Sequence, residues 1–198
     1  MTHLVDRYLL FRVRTKRDPE AFARLYDRYV EAIYRFVYLK LPRKEDAQDI
    51  TAETFTRAWQ FLHETRQVFN IRAFLYRIAR NLIADFYRSQ KQELSVEELV
   101  TFESSGASTG SEGIGIGTAH LPAIDHLSET RAELSLILSR LSRLKEDYQD
   151  VLTLRLIDDL PFAVIADILE KKTGHVRVIY HRAIKALNEL DKKVPKNT

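Results

Sequence analysis

Residues 160–187 read LPFAVIADILEKKTGHVRVIYHRAIKAL and predict two helices separated by a tight turn. Pro161 begins a short apolar segment that ends at about 169, and apolar residues then recur at spacings of three and four from 174 to 190. A short helix, a turn of about three to four residues and a longer helix form a helix-turn-helix pattern.

The second helix of this pattern has two chemically different faces. Its predicted inner face holds Val176, Ile179, Tyr180, Ala183 and Leu187, and its outer face holds Arg177, His181, Arg182, Lys185 and Asn188. Such donors suit DNA phosphates and the guanine edge in a major groove. The alternative is a four-helix domain whose surface is merely basic.

Helical periodicity extends over most of the chain. The predicted helices cover about 3–15, 44–62, 71–89, 145–157, 161–169 and 174–190, and a further helix begins at Pro19, with Phe22, Leu25, Tyr29, Ile33, Phe36 and Val37 on one face, before Pro42 interrupts the chain. Asp18-Pro19, Asn70 and Ser128 are helix-start signals, and Leu134, Ile137, Leu138 and Leu141 form the first apolar stripe after Ser128. The fold class is therefore all-α.

Glycine divides the chain, because five of the six glycines lie between residues 106 and 117. The surrounding segment 91–127 is rich in Ser, Gly and Glu, a composition typical of a flexible linker. We therefore expect two small helical domains, residues 1–90 and 128–198, joined by this linker, with the helix-turn-helix in the second.

The net charge of +3 is unevenly distributed. Residues 1–90 carry +6, the linker −5, residues 128–170 −4 and residues 171–198 +6. Basic segments favour phosphate backbones. An acidic tether can occupy a basic channel or repel DNA, and ordinary surface variation is the alternative.

Several functional classes find no support in the sequence. The absence of cysteine excludes disulfide scaffolds, thiolate zinc sites and a cysteine nucleophile. The six histidines are scattered, and no phosphate loop or hydrolase motif is present. No apolar run approaches about 18 residues and no secretory signal is visible, so we expect a cytoplasmic protein without membrane insertion, catalytic residues, metal or cofactor.

The helix at 71–89 places cations, aromatics and an amide opposite its apolar stripe. These residues are Arg72, Tyr76, Arg77, Arg80, Asn81, Tyr87 and Arg88. Arginines neutralise phosphates, aromatics stack on unpaired bases and an asparagine can read a base edge. A solvated arginine-rich face is an equally good interpretation of the pattern alone.

The helix at 44–62 carries an acidic stripe of Asp46, Asp49 and Glu53 beside its apolar face. The stripe could bind a metal, although it has no nearby histidine, or a basic protein surface. It could also be an ordinary solvated face.

Four blocks in order resemble one family. DPEAFARLYDRY (18–29), EDAQDITAETFTRAW (45–59), IRAFLYRIARNLIADFYR (71–88) and residues 160–187 are similar to the extracytoplasmic-function (ECF) group of bacterial sigma factors in the sigma-70 family. These are small two-domain initiation subunits of RNA polymerase.

The resemblance implies partners for particular residues. Core polymerase, through its β′ clamp helices, would bind Asp46, Asp49, Glu53, Phe55 and Trp59. The loop at about 63–70 and the outer face of helix 71–89, with all seven residues named above, would melt and read the −10 element. Thr173, His175, Arg177, Val178, His181, Arg182 and Lys185 would read the −35 element. The β flap and an anti-sigma factor are further implied partners, and the linker would thread near the RNA exit path.

Some positions depart from the family pattern. Ala52 replaces a usual Gln, Glu170 a small turn residue, Lys171 an apolar residue and Ile179 a polar or basic one. The linker is also long and glycine-rich for the group. The alternative functions are a stand-alone helix-turn-helix regulator of duplex DNA and a helical protein–protein adaptor.

Overall fold

The computed structural model describes residues 2–64, 68–101 and 139–192, and every regular element in these ranges is helical. The N-terminal half contains α1 (Thr2–Lys16), α2 (Pro19–Tyr38), α3 (Lys44–His63) and α4 (Ile71–Thr101). The C-terminal half contains α5 (Glu146–Leu152), which continues as a π-helical turn over Thr153–Ile157, then α6 (Phe162–Ile168) and α7 (Thr173–Lys192). The all-α prediction is confirmed.

Two helix starts lie where the sequence predicts them. The Asp18 carboxylate accepts hydrogen bonds from the backbone N–H groups of Glu20 and Ala21 at 3.0 and 3.1 Å. The Asn70 side-chain oxygen accepts one from the N–H of Ala73 at 3.2 Å. Each cap satisfies N–H groups that the first helical turn leaves without a partner.

The core of the N-terminal half forms where α2, α3 and α4 pack together. From α2 it takes Ala21, Leu25, Tyr29, Ile33, Phe36 and Val37. The rings of Phe36 and Tyr76 meet edge to face, with centroids 5.2 Å apart, a favourable aromatic geometry. Phe22 of α2 is half-buried, with its ring centroid 4.9 Å from that of Trp59.

Helix α4 continues to Thr101, twelve residues beyond the predicted end at 89. The sequence prediction of its end is wrong because the extension, QKQELSVEELVT, consists mainly of residues that tolerate a helix well. The first part of the segment assigned to the linker is therefore helical. The rest of it, together with Ser128, Leu134, Ile137 and Leu138, lies outside the described residues.

The C-terminal half builds its core from α5, the π-helical turn, α6 and α7. Leu152, Leu154, Ile165, Ile168, Val176 and Ala183 are all buried in it. Helix α6 ends in a left-handed residue, Glu170, with φ of 53°. The N–H of Lys171 then donates to the carbonyl of Ala166 at 2.9 Å, as in a Schellman cap. This turn sets the angle at which α7 leaves α6.

The two halves are packed against each other. Helix α4 contacts α6, and side chains of α2 and α4 bond to acidic residues of the C-terminal half. A flexible linker predicts no particular contact between the domains, so this packing is a structural finding that the sequence analysis did not anticipate.

Candidate nucleic-acid interface

The outer face of α7 is exposed along its length. His175, Arg177, Val178, His181, Arg182 and Lys185 all point to solvent, and Thr173 is half-exposed at the first residue of the helix. Val176, Ile179 and Ala183 are buried on the opposite side. The helix therefore presents the predicted −35 residues together on its solvent-exposed side.

Arg177 is positioned by a ring of the preceding helix. Its guanidinium carbon lies 6.0 Å from the centroid of Phe162, and Tyr180 packs edge-on against the same ring at 5.4 Å. Stacking of this kind restricts the arginine before it meets a ligand.

Two departures from the family pattern have structural explanations. Ile179 is only 5% exposed, so it belongs to the core beneath α7 and does not face outward. Lys171 is half-buried, and its ammonium lies 3.3 Å from a carboxylate oxygen of Asp147. Neither departure alters the outer face of α7.

Glu170 also departs from the family pattern, and its left-handed backbone conformation leads to a prediction. A residue with a Cβ in the left-handed region costs about 1 kcal/mol relative to glycine. We expect Glu170→Gly to raise the free energy of unfolding in urea by about that amount relative to Glu170→Ala, which loses the same ion pair with Arg77 but keeps the Cβ. Equal stability of the two variants would show that the turn carries no strain.

The outer face of α4 is largely occupied. Arg77 pairs with Glu170 at 3.2 Å and Arg80 with Asp150 at 2.7 Å, both across the contact between the halves. Arg72 lies 5.7 Å from the centroid of the Tyr29 ring. Of the seven predicted −10 residues, the structure thus leaves Asn81, Tyr87 and Arg88 exposed.

The prediction that Tyr76 faces outward is wrong. Its side chain is 1% exposed, because its ring packs on Phe36 and its hydroxyl donates to Asp158 at 2.8 Å. Burial, followed by the charge of Asp158, raises the pKa of the phenol well above its ordinary value. Tyr76 therefore stabilises the fold beneath the basic face.

Sequence reasoning missed Phe69. It precedes the N-cap Asn70 in the loop before α4, and 80% of it is exposed. An aromatic ring held in solvent at a helix start suits stacking on an unpaired base. The available signal was an aromatic placed directly before a capping residue.

The acidic stripe of α3 is only partly free to bind. Asp46 is 9% exposed and accepts two hydrogen bonds from Arg43, at 2.9 and 2.8 Å. Glu53 pairs with Arg57 at 2.6 Å. Asp49 is exposed, and within the described ranges no ion pair engages it.

The two aromatic residues of the predicted polymerase-binding set differ in their exposure to solvent. Phe55 is 4% exposed and packs against Tyr26 with centroids 4.7 Å apart. Trp59 is half-exposed and touches both Phe22 and His63. Phe55 is therefore a buried support of α3, whereas part of the Trp59 ring is accessible to solvent.

Neither a metal centre nor a membrane span is found in the part of the chain that the structure describes. No group of three or more potential ligands is suitably clustered for a metal there. No helix in those ranges combines the length and apolar character needed to cross a bilayer.

Each half of the chain matches a known protein family. The sigma-70 region 2 family matches residues 25–93, and the sigma-70 region 4 family matches residues 134–187. The chain is 31% identical to the ECF RNA polymerase sigma factor SigW of Bacillus subtilis, over 88% of this chain and 90% of that protein. It is also 31% identical to the ECF sigma factor BldN of Streptomyces coelicolor, over 87% of this chain and 61% of BldN's length.

A solved structure has the same fold. CnrH, determined in complex with the cytosolic domain of CnrY, is similar with a TM-score of 0.67 and 22% identity, covering 96% of this chain and 99% of CnrH. Sequence and fold thus agree on both halves and on their order along the chain. The chain belongs to the ECF group of the sigma-70 family, the RNA polymerase sigma factors that direct transcription initiation.

Proposed function

We propose that this protein binds core RNA polymerase through α3, directs it to promoters through α7 and helps to open the duplex through α4 and the loop before it. The observation that carries the proposal is the exposed basic outer face of α7 on a helix-turn-helix. A helix of this kind fits a major groove, where its donors reach phosphates and base edges.

The −10 contacts would come from Arg72, Arg77, Arg80, Asn81, Tyr87 and Arg88. Asn81 is exposed on α4, and Phe69 is exposed in the preceding loop. Binding of unpaired bases by an aromatic and an amide would offset the cost of unstacking them. Tyr76 would act indirectly, as the buried support for this face.

The polymerase would bind the exposed part of α3. Asp49 offers an exposed carboxylate that pairs with no described residue, and Trp59 of the same helix offers a partly exposed ring; a carboxylate suits a basic helical surface such as the β′ clamp helices. The β flap would bind the C-terminal domain. The chain would itself catalyse no reaction, would work in the cytoplasm with the polymerase, and would have an anti-sigma factor as its regulator.

Run-off transcription tests the proposal. Core polymerase is incubated with a fragmented genomic template, with and without the full chain, and the transcripts are sequenced. We expect start sites that depend on the chain and share two upstream elements. An absence of such starts together with no binding to core would overturn the proposal. A stand-alone regulator would instead bind duplex DNA without requiring core.

Asp49→Arg tests the polymerase-binding surface. Reversing an exposed charge facing a basic partner replaces attraction by repulsion, so we expect the affinity for core to fall by about tenfold or more. Fluorescence anisotropy of labelled chain titrated with core measures it. Asp27→Arg is the matched control, since Asp27 is exposed on α2. If both variants bind core like the unmodified chain, the surface lies elsewhere.

A further inference from the structure

The exposed side of α7 carries one apolar residue among its hydrogen-bond donors. Val178 is 44% exposed, whereas the other large apolar side chains described on α7 are buried or half-buried. Its neighbours on the exposed side are Arg177, His181 and Arg182. The outer face of α7 is therefore not uniformly polar, and its apolar point lies directly among the groups proposed to bind DNA.

The fold does not explain a valine at this position. The core beneath α7 is formed by Val176, Ile179 and Ala183, which lie on the opposite side of the helix. A β-branched side chain loses rotamer freedom in a helix, so an exposed valine stabilises the helix less than alanine or lysine would. Neither core packing nor helix stability therefore accounts for Val178.

The surface beside Val178 is open. A helical side chain points toward the N-terminus of its helix and covers the turn that precedes its own Cα. For Val178 that turn begins at Gly174, which has no side chain, and a Cβ added there would meet no group outside its own helical turn within 4 Å. The Val178 methyl groups are thus accessible to the flat edge of a base.

Two arginines flank Val178 and limit which base can reach it. Arg177 is positioned by the ring of Phe162, and Arg182 is exposed and pairs with no carboxylate among the described residues. Arg182 is therefore available for a bidentate bond to guanine. The Cβ atoms of residues four apart on a helix are about 5–6 Å apart, and bases along a strand are about 3.4 Å apart. The base beside Val178 should therefore lie within about two steps of that guanine.

Thymine is the base whose major-groove edge suits an apolar side chain. It presents the 5-methyl group, whereas guanine, adenine and cytosine present hydrogen-bonding groups at their edges. A polar edge placed against valine loses water and gains no hydrogen bond, which costs free energy. Val178 therefore favours thymine and disfavours the other bases at the position that it contacts.

We propose that Val178 reads the 5-methyl group of a thymine in the upstream promoter element, within about two base pairs of a guanine bound by Arg182. The inference rests on the proposed function, because that function places α7 in the major groove. It adds a base preference that the arginines, histidines and lysine of the same face cannot supply, since their hydrogen-bond donors do not recognise a methyl group.

Replacement of thymine by deoxyuridine tests this contact, because it removes the methyl group and keeps the base pair. The probe is the duplex that the full chain selects from a random library, with its thymines replaced one at a time, and fluorescence anisotropy measures each affinity. Burial of one methyl group contributes about fourfold to an affinity. We therefore expect one thymine near a guanine whose replacement weakens binding by about fourfold in the unmodified chain. In Val178→Ala the same replacement should leave the affinity unchanged.

Two further variants serve as controls. Val5→Ala is matched to Val178→Ala, because Val5 is exposed to a similar extent, 46%, but lies on α1. Val178→Ile keeps a branched apolar side chain at the proposed contact. Both should retain the preference for thymine over deoxyuridine. Alanine is a better helix former than valine, so we expect Val178→Ala to fold like the unmodified chain.

The outcomes separate this inference from the proposed function. The inference is overturned if no single replacement weakens binding by the unmodified chain, if Val178→Ala loses affinity by the same factor, or if the sensitive thymine lies farther from every guanine. In each of these cases the selected duplex is still bound, so the proposed function stands. Failure of the chain to enrich any duplex would contradict the role proposed for α7, and this inference with it.

Discussion

Alanine at both Arg177 and Arg182 is expected to abolish most of the affinity for duplex DNA carrying the upstream promoter element. Both side chains are exposed on the outer face of α7. An arginine that forms a bidentate bond with guanine contributes about 1–3 kcal/mol. The two sites lie one and a half helical turns apart, so we expect their effects to add.

Anisotropy with a duplex selected from a random library by the unmodified chain measures this loss. Arg7→Ala combined with Arg24→Ala removes the same charge from the N-terminal half and should leave the affinity nearly unchanged. A base contact also predicts relaxed sequence preference in the single variants, whereas a phosphate contact predicts a uniform loss and a smaller salt dependence. Affinity equal to that of the control would exclude this face as the duplex reader.

Tyr76→Ala is expected to lower the free energy of unfolding by about 3–5 kcal/mol, the usual cost of removing a large buried aromatic. Its ring fills the core beside Phe36 and is almost completely excluded from solvent. Tyr76→Phe keeps the ring and loses only the bond to Asp158, for which we expect about 1 kcal/mol. Urea unfolding followed by circular dichroism measures both.

The same two variants test whether Tyr76 only stabilises the fold or also contacts DNA. If Tyr76 acts only through the fold, Tyr76→Phe should bind single-stranded DNA as well as the unmodified chain, because it keeps the ring that packs beneath the basic face. A stable Tyr76→Ala protein with reduced DNA affinity would show instead that the ring leaves the core to touch DNA.

The starts of the helices were predicted well because the interactions that cap them involve residues close together in the sequence. Asp18 and Asn70 cap where a short polar side chain precedes an apolar periodic run, and both bonds form within three residues. The departure of Glu170 from the small turn residue of the family pattern marked the position where the structure has a left-handed residue. The end of α4 was missed because linker composition was weighed above the helical tolerance of residues 91–101.

The ion pairs between the two halves could not be read from periodicity. Asp150 and Asp158 look like ordinary solvated acids, and their partners Lys40 and Arg35 lie more than 100 positions away in the chain. The charge distribution held a signal, since residues 128–170 carry −4 and residues 1–90 carry +6. Charge counts carry no orientation, so they did not place these acids against the N-terminal half. Tyr76 was misplaced because its ring lies at the border of the apolar stripe.

The packing of the two halves treats the two proposed DNA-binding faces differently. The outer face of α7 is exposed, whereas Arg77 and Arg80 of α4 are already paired with carboxylates of the C-terminal half. Under the proposed function, α7 can contact duplex DNA without any change in this packing. A phosphate that binds Arg77 or Arg80, in contrast, has to displace a carboxylate first.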